Sequence, residues 1–259
     1  MTEACVDFSA RAMKELFPPN GPVRSKIPGK TDKGKLEKAE RKTKYMNWQL
    51  TEQIPEFRSD LEQLTTQLPL GGVQYLKVYY DHGKKRITTE FVPVDDVYLP
   101  FAASNYYSAE RKTHVQYITA FEYQKRVESG MYREVDLGLP DDIEYSKATK
   151  ANDKIEGRTE DTYNEDGLRT IFEITTFADL EGDMFDPYII SVDKATRKCL
   201  SVYRNWKPDD DNREELVNMV EFPFIPWRGA YPIGLTQMIG GLSGAVSYTH
   251  LTLPTNREV

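Results

Sequence analysis

The residues able to do chemistry are few, and their spacing serves it poorly. Three histidines (His82, His114, His250) and two cysteines (Cys5, Cys199) are far apart in the chain. They supply no zinc cage, no disulfide framework and no histidine-based triad. No P-loop, GxGxxG, GxSxG or HExxH pattern is present. The best carboxylate pair is Asp95-Asp96, but neighbours on an extended segment point to opposite faces and share one metal poorly. A turn position or an arginine partner is the plainer reading of that pair. Asp209-Asp210-Asp211-Asn212 has the composition of a calcium loop. It lacks the glycine and the distal bidentate glutamate such a loop needs. Cys5 and Cys199 read as small buried hydrophobes, and His114 as a satisfied strand histidine. Trp206, Trp227 and Tyr231 have the makings of a base-stacking platform, although core or subunit packing suits them better. This residue chemistry argues against an enzyme, with no cofactor or metal expected.

One stretch stands out by charge. Between Arg24 and Lys44 lie nine basic and three acidic residues, within a chain whose formal net charge is −7. The plain reading is a solvated helix face. The functional reading is a contact made by Lys35, Lys38, Arg41, Lys42 and Lys44 with a neighbouring subunit or with DNA phosphate. A protein that grips nucleic acid over its whole surface is usually basic, and this one is not.

The elements that must position these groups read as follows. A helix is expected over Val6–Phe17, with Ala10, Met13, Leu16 and Phe17 near one face and Pro18-Pro19 as its stop. It begins abruptly, as though an earlier part were missing. Leu36–Gln53 reads as a helix. Pro55–Leu68 continues it, with Phe57, Leu61, Leu64 and Leu68 on one face and Pro69-Leu70-Gly71-Gly72 as the end. Strands follow over Val73–Tyr80 and Arg86–Val92, joined by a turn at Asp81–Lys84. Pro93–Pro100 reads as extended, and His114–Thr119 as a strand. Thr119-Ala120-Phe121-Glu122 is a capping box opening a helix that stops at Gly130.

Residues 134–166, with eleven acidic and four basic residues, read as a mobile acidic loop. Further strands are expected at Thr170–Phe177, Tyr188–Asp193, Cys199–Trp206 and Leu216–Phe224. A helix packed through Gly240, Gly241 and Gly244 should begin in the span 234–246. The fold class is α+β: N-terminal helices, then a hairpin-rich antiparallel β region with one short helix. Along the chain this gives a helical part, 1–72, and a β-rich part, 73–233. No apolar run approaches the roughly 18 residues a membrane span needs.

Several segments, in order, resemble the portal proteins (head-to-tail connectors) of tailed phages. They include VDFSARAMKELFPPNGP (6–22), YMNWQ (45–49), LPLGGVQYLKVYY (68–80) and FVPVDDVYLP (91–100). The order Arg111, Thr113, His114, then Ser129-Gly130 and Tyr132, the hairpin Tyr188–Trp206, and FIPWRGAYPIGLTQMIGG (224–241) complete the series. The resemblance implies a fragment of a portal subunit truncated at both ends. It would be mostly wing, ending at the start of a stem helix. It further implies a homo-oligomeric ring, a dodecamer in the full-length protein, at the capsid vertex of a virion and made in the host cytoplasm. Its partners would be the terminase large subunit, capsid and head-tail adaptor proteins, and double-stranded DNA in transit, with no membrane. The tail 247–259 departs from the Leu-rich continuation expected of the family and resembles translated sequencing-adapter DNA. Another virion structural protein, a tail connector or baseplate component, is the alternative. A metal-dependent nuclease using Asp95 and Asp96 is a third class.

Overall fold

The computed structural model describes residues 2–81, 83–139, 167–180, 182 and 184–240. The fold is α+β, and the described residues form four α-helices and eight β-strands. The helices are α1 (Thr2–Leu16), α2 (Lys33–Trp48), α3 (Glu56–Gly71) and α4 (Ala120–Glu128). The strands are β1 (Val73–Asp81), β2 (Arg86–Val92), β3 (Val97–Tyr98), β4 (Arg111–Ile118), β5 (Arg169–Ala178), β6 (Asp186–Asp193), β7 (Cys199–Arg204) and β8 (Met219–Pro223). All strand pairs are antiparallel, in sheets ordered β2-β1-β8 and β3-β4-β5-β6-β7.

These elements form two compact units that cut across the linear segments 1–72 and 73–233. One comprises residues 1–94, 102–107 and 217–259, the other 95–101 and 108–216. The β1–β2 hairpin thus belongs with the N-terminal helices. It is joined by β8 from far along the chain, with Val73 opposite Pro223 and Lys77 opposite Met219.

In the first unit α3 carries the core. Leu61, Leu64 and Leu68 are buried together with Leu76 of β1, and Phe57 packs against them from the same helix face, as the spacing requires. Phe91 and Phe222 reach this cluster from the flanking strands. The buried face of α1 differs from the expected one. Cys5 and Ser9 are buried, Phe8, Met13 and Phe17 pack on the core, and Ala10 and Leu16 face outward. The reason is polar: Ser9 Oγ and Thr65 Oγ1 share a buried 2.9 Å hydrogen bond that sets which side of α1 meets α3. Phe8 then meets Phe224 edge-on, with centroids 5.5 Å apart.

Pro55 separates two helices. The residue before a proline is pushed out of the helical region, and Ile54 sits at φ −114°, ψ 80°. The preceding turn, Gln49–Gln53, widens to a π-turn closed by Ile54 N–H donating to the Gln49 carbonyl at 3.0 Å. The end of α3 falls within the expected Pro69-Leu70-Gly71-Gly72, although the helix runs past Leu68 and through Pro69. Pro69 falls in the last turn, where its fixed φ suits a helix and only one hydrogen bond is forgone. The stop is Gly72, left-handed at φ 83°, whose N–H donates to the Leu68 carbonyl.

At the other end of α3, Glu56 takes Arg86 at 2.5 Å and Lys84 at 3.1 Å. The Arg86 guanidinium holds the Glu56 carboxyl down at about 2, against 4.5 ordinarily. A depressed carboxylate stabilises the fold above its unfolded pKa and loses that contribution as pH falls through the folded one. Between about pH 4.5 and 2, urea-denaturation midpoints are therefore expected to fall, and less steeply in Glu56→Gln.

The second unit is built on the five-stranded sheet. Ile118, Ile171 and Leu200 are buried with Tyr132 and Leu137, and Tyr123 and Val127 of α4 pack against them. The region 134–166 therefore departs from its expected character at its start. Leu137 is buried and Val135 packs on the core, because both are apolar and follow directly on Tyr132. Its remainder, 140–166, lies outside the described residues.

The capping box is half made. Thr119 Oγ1 accepts from Glu122 N–H at 3.2 Å, but the Glu122 carboxylate turns to Arg126 at 2.5 Å instead of reaching back. On the opposite sheet face Val115 is buried, whereas Tyr117, Phe172, Ile174, Ile190, Val192 and Val202 are half-buried to exposed. Among the described residues no helix is long and apolar enough to cross a membrane.

Candidate functional site

Helix α2 begins after Asp32 and runs for 16 residues with none of them buried. A helix that buries nothing of its own needs support from elsewhere, and a loop supplies it along one face. Asn47 clasps Val23 twice: its Oδ1 accepts from the Val23 N–H at 2.8 Å, and its Nδ2 donates to the Val23 carbonyl at 3.2 Å. Thr43 accepts from the Ser25 N–H at 3.2 Å and donates to the Ser25 hydroxyl at 2.8 Å. Gly21 makes this approach possible. It lies at φ 90°, and any Cβ there would fall 2.6 Å from the Asn47 side chain.

With Thr43 and Asn47 turned to the loop, the far side of α2 is left to solvent. Lys38, Arg41, Lys42, Tyr45 and Trp48 follow one another at helical spacing on that side, all exposed. Tyr45 and Trp48 lie with ring centroids 5.8 Å apart and are about half exposed, at 56% and 49%. Lys35 and Lys44 are exposed on the flanks. All five cations expected from the sequence are therefore on one helix and open to a partner. Their carboxylate neighbours Glu37 and Glu40 form no ion pair with them among the described residues. The sequence reading missed the aromatic part of this face. Tyr45 and Trp48, seven and ten residues after Lys38, were the available signal.

The other candidates have local roles. Asp95 and Asp96 lie in a 3₁₀ turn (Val94–Asp96), not on the extended segment expected of Pro93–Pro100. Burial, and then the charge of Asp95, raise the Asp96 carboxyl above its usual range. Asp210 spends its carboxylate on the turn, accepting from the N–H groups of Asn212 at 3.1 Å and Glu214 at 3.0 Å. Among the described residues no group of three or more His, Cys, Asp or Glu is placed to hold a metal ion. Cys5 is buried, whereas Cys199 is only half-buried, since the sheet bulges where it pairs with Val192. Gly240 has open space around it, contrary to the close packing expected there, while Gly241 and Gly244 lie outside the described residues.

Trp206 meets Tyr188 edge-on at 5.3 Å and lies under the guanidinium groups of Arg204 and Arg213. Trp227 and Tyr231 belong to the other unit.

The second unit also holds a polar network that the sequence did not announce. The strand register sets His114 opposite Glu173 and Glu173 opposite Ser191. Gln116 Nε2 donates to Glu173 at 3.1 Å, and Arg126 donates to Gln116 Oε1 at 2.7 Å and to the Tyr132 hydroxyl at 2.8 Å. Burial raises the Tyr132 hydroxyl, with Arg126 opposing. Its polar groups partner one another, which is the arrangement of a core that fixes a register. An open groove of about 630 Å³ lies at one end of this unit's sheet, lined by Pro100, Glu110, Arg111, Thr176, Phe177 and Phe185.

The α2 face sets exposed cations beside two half-exposed aromatic rings on a helix that buries none of its residues. No protein-family model matches the chain, and no curated protein matches it.

Proposed function

We propose that the chain is a structural subunit of a phage portal ring, part of the wing that packs on neighbouring subunits. The ring would stand at the capsid vertex and pass double-stranded DNA during packaging and ejection. The observation that carries this reading is a 16-residue helix with no buried residue, presenting six cations and two exposed aromatic rings. Such a surface serves contact better than catalysis. The ordered resemblance to portal segments supplies the kind of assembly. The acidic total is compatible with a conduit, because tight phosphate binding would brake DNA in transit.

Electron microscopy of the full-length gene product tests the reading. The expected result is a closed ring with an axial channel. Particles without a channel would favour a tail-connector or baseplate component instead.

A further inference from the structure

A group of tyrosines stands on the sheet face turned away from α3. Side chains alternate along β1, so Leu76 enters the α3 core and Tyr75 points to the other side. The strand register sets Glu221 of β8 directly opposite Tyr75, and buried Val92 of β2 on its other flank. Opposed residues of an antiparallel pair project on the same face. Tyr106 packs on the Tyr75 ring with centroids 5.1 Å apart and an angle of 44°. Tyr107 meets Tyr106 at 5.2 Å and 86°. The Tyr107 hydroxyl accepts from the Glu221 N–H at 3.3 Å, which ties the tyrosine segment to β8. The rings therefore form the walls of a corner and not a stack. These residues and Tyr231 all belong to one compact unit.

Two polar groups in this corner lack a partner. The Tyr75 hydroxyl is fully buried and makes no hydrogen bond, a state that few buried polar groups occupy. Glu221 is half-buried and forms no ion pair among the described residues. Burial raises its carboxyl above the usual range, with no cation to oppose the effect. The Tyr75 hydroxyl is pushed up by burial and then by Glu221, Tyr231, Tyr106 and Tyr107, which places those groups around it. Lys77, the next residue on this face of β1, lies over the Tyr79 ring at 5.6 Å.

We propose that this corner binds a primary alkylammonium group, as carried by a lysine side chain or a small free amine. Aromatic ring faces attract a cation. The Glu221 carboxylate supplies the counter-charge and a strong acceptor. An ammonium N–H donates to the Tyr75 hydroxyl oxygen, which no protein group reaches. That last contact selects a primary over a quaternary ammonium, which has no N–H. Tyr107 and Tyr231 are the exposed members, at 50% and 41%, so the group enters from their side and its alkyl stem lies along their rings. The site stands on the geometry of one unit and does not depend on the portal reading.

The test is a ligand-observed NMR titration of the full chain with two probes. n-Butylammonium represents a free amine, and acetyl-Gly-Lys-Gly-amide a lysine within a chain. The tighter probe is expected to bind with a dissociation constant of about 1 mM, and its identity tells which source the corner fits. Tetramethylammonium should bind at least about tenfold more weakly than butylammonium. Glu221→Gln should weaken butylammonium at least about tenfold. Tyr75→Phe is the second variant. It should weaken butylammonium about three- to tenfold and melt no lower than wild type, because the lost hydroxyl makes no hydrogen bond in the fold.

No binding of either probe overturns the proposal. So does unchanged affinity in Glu221→Gln or Tyr75→Phe, or tetramethylammonium binding as tightly as butylammonium. Displacement of butylammonium by an equal concentration of KCl also overturns it, since the corner would then be a site for any simple cation.

Discussion

Gly72→Ala is expected to destabilise the first unit by about 3 kcal/mol, lowering its melting temperature by roughly 6–12 °C. Two costs combine. The residue holds a left-handed backbone at φ 83°, which a side chain strains by about 1 kcal/mol. The new Cβ would also lie 2.4 Å from the Gly234 nitrogen and 2.5 Å from the Ile233 carbonyl carbon. Both are backbone atoms, so no rotamer change relieves the overlap and the two segments must separate.

The segments are bound there by further contacts. Phe224 N–H donates to the Gly72 carbonyl at 2.8 Å, and Thr236 Oγ1 donates to the Leu70 carbonyl at 3.0 Å. Gly234→Ala isolates the overlap from the strain. Its φ lies outside the left-handed range, yet its Cβ would fall 2.5 Å from the Leu70 carbonyl oxygen. Gly130→Ala isolates the strain: φ is 75° with nothing within 4 Å, and about 1 kcal/mol is expected. Thermal melts of the three variants check the ordering. Gly72→Ala no worse than Gly130→Ala would mean that the close approach contributes nothing.

Leu64→Ala is expected to cost about 2–5 kcal/mol, through lost burial plus the cavity left behind. Leu64 is 1% exposed and lies among Leu61, Leu68 and Leu76, with phenylalanines from α1, β2 and β8 packed around the cluster. Helix α3 cannot collapse onto the gap without shifting, because Glu56 is pinned to Arg86 at one end and Gly72 to the 232–234 segment at the other. Leu16→Ala, at a site 41% exposed, should be near neutral in the same chemical-denaturation experiment. Equal losses at the two positions would contradict the assignment of the core.

Local pattern was a good guide wherever one period ran uninterrupted. The spacing of Phe57, Leu61, Leu64 and Leu68 located the core face of α3, and Arg86–Val92 was read to its ends. Pattern failed where a long-range partner decided the outcome. The buried side of α1 follows the Ser9–Thr65 hydrogen bond, between residues 56 apart, and not apolarity alone. The pairing of β8 with β1 depends on register across most of the chain. Asp95 and Asp96 turn with a 3₁₀ geometry that two flanking prolines had suggested was extended.

The cations of the candidate site were legible because charge runs survive in sequence. The face they share with Tyr45 and Trp48 needed the helix and the loop that covers its other side. The polar network around Gln116 was hidden because strand pairing brings Glu173 to it and α4 brings Arg126, and spacing along the chain shows neither.

The two thiols fall one in each unit, Cys5 at 2% exposure in the first and Cys199 half-buried in the second. A slow alkylating reagent therefore keeps two clocks in one molecule. Modification of Cys5 waits on the parting of α1 from its neighbours, whereas Cys199, half-buried at the start of β7, meets the reagent after far less opening. Mass spectrometry of the two peptides over time would time the breathing of each unit in a single unmutated sample.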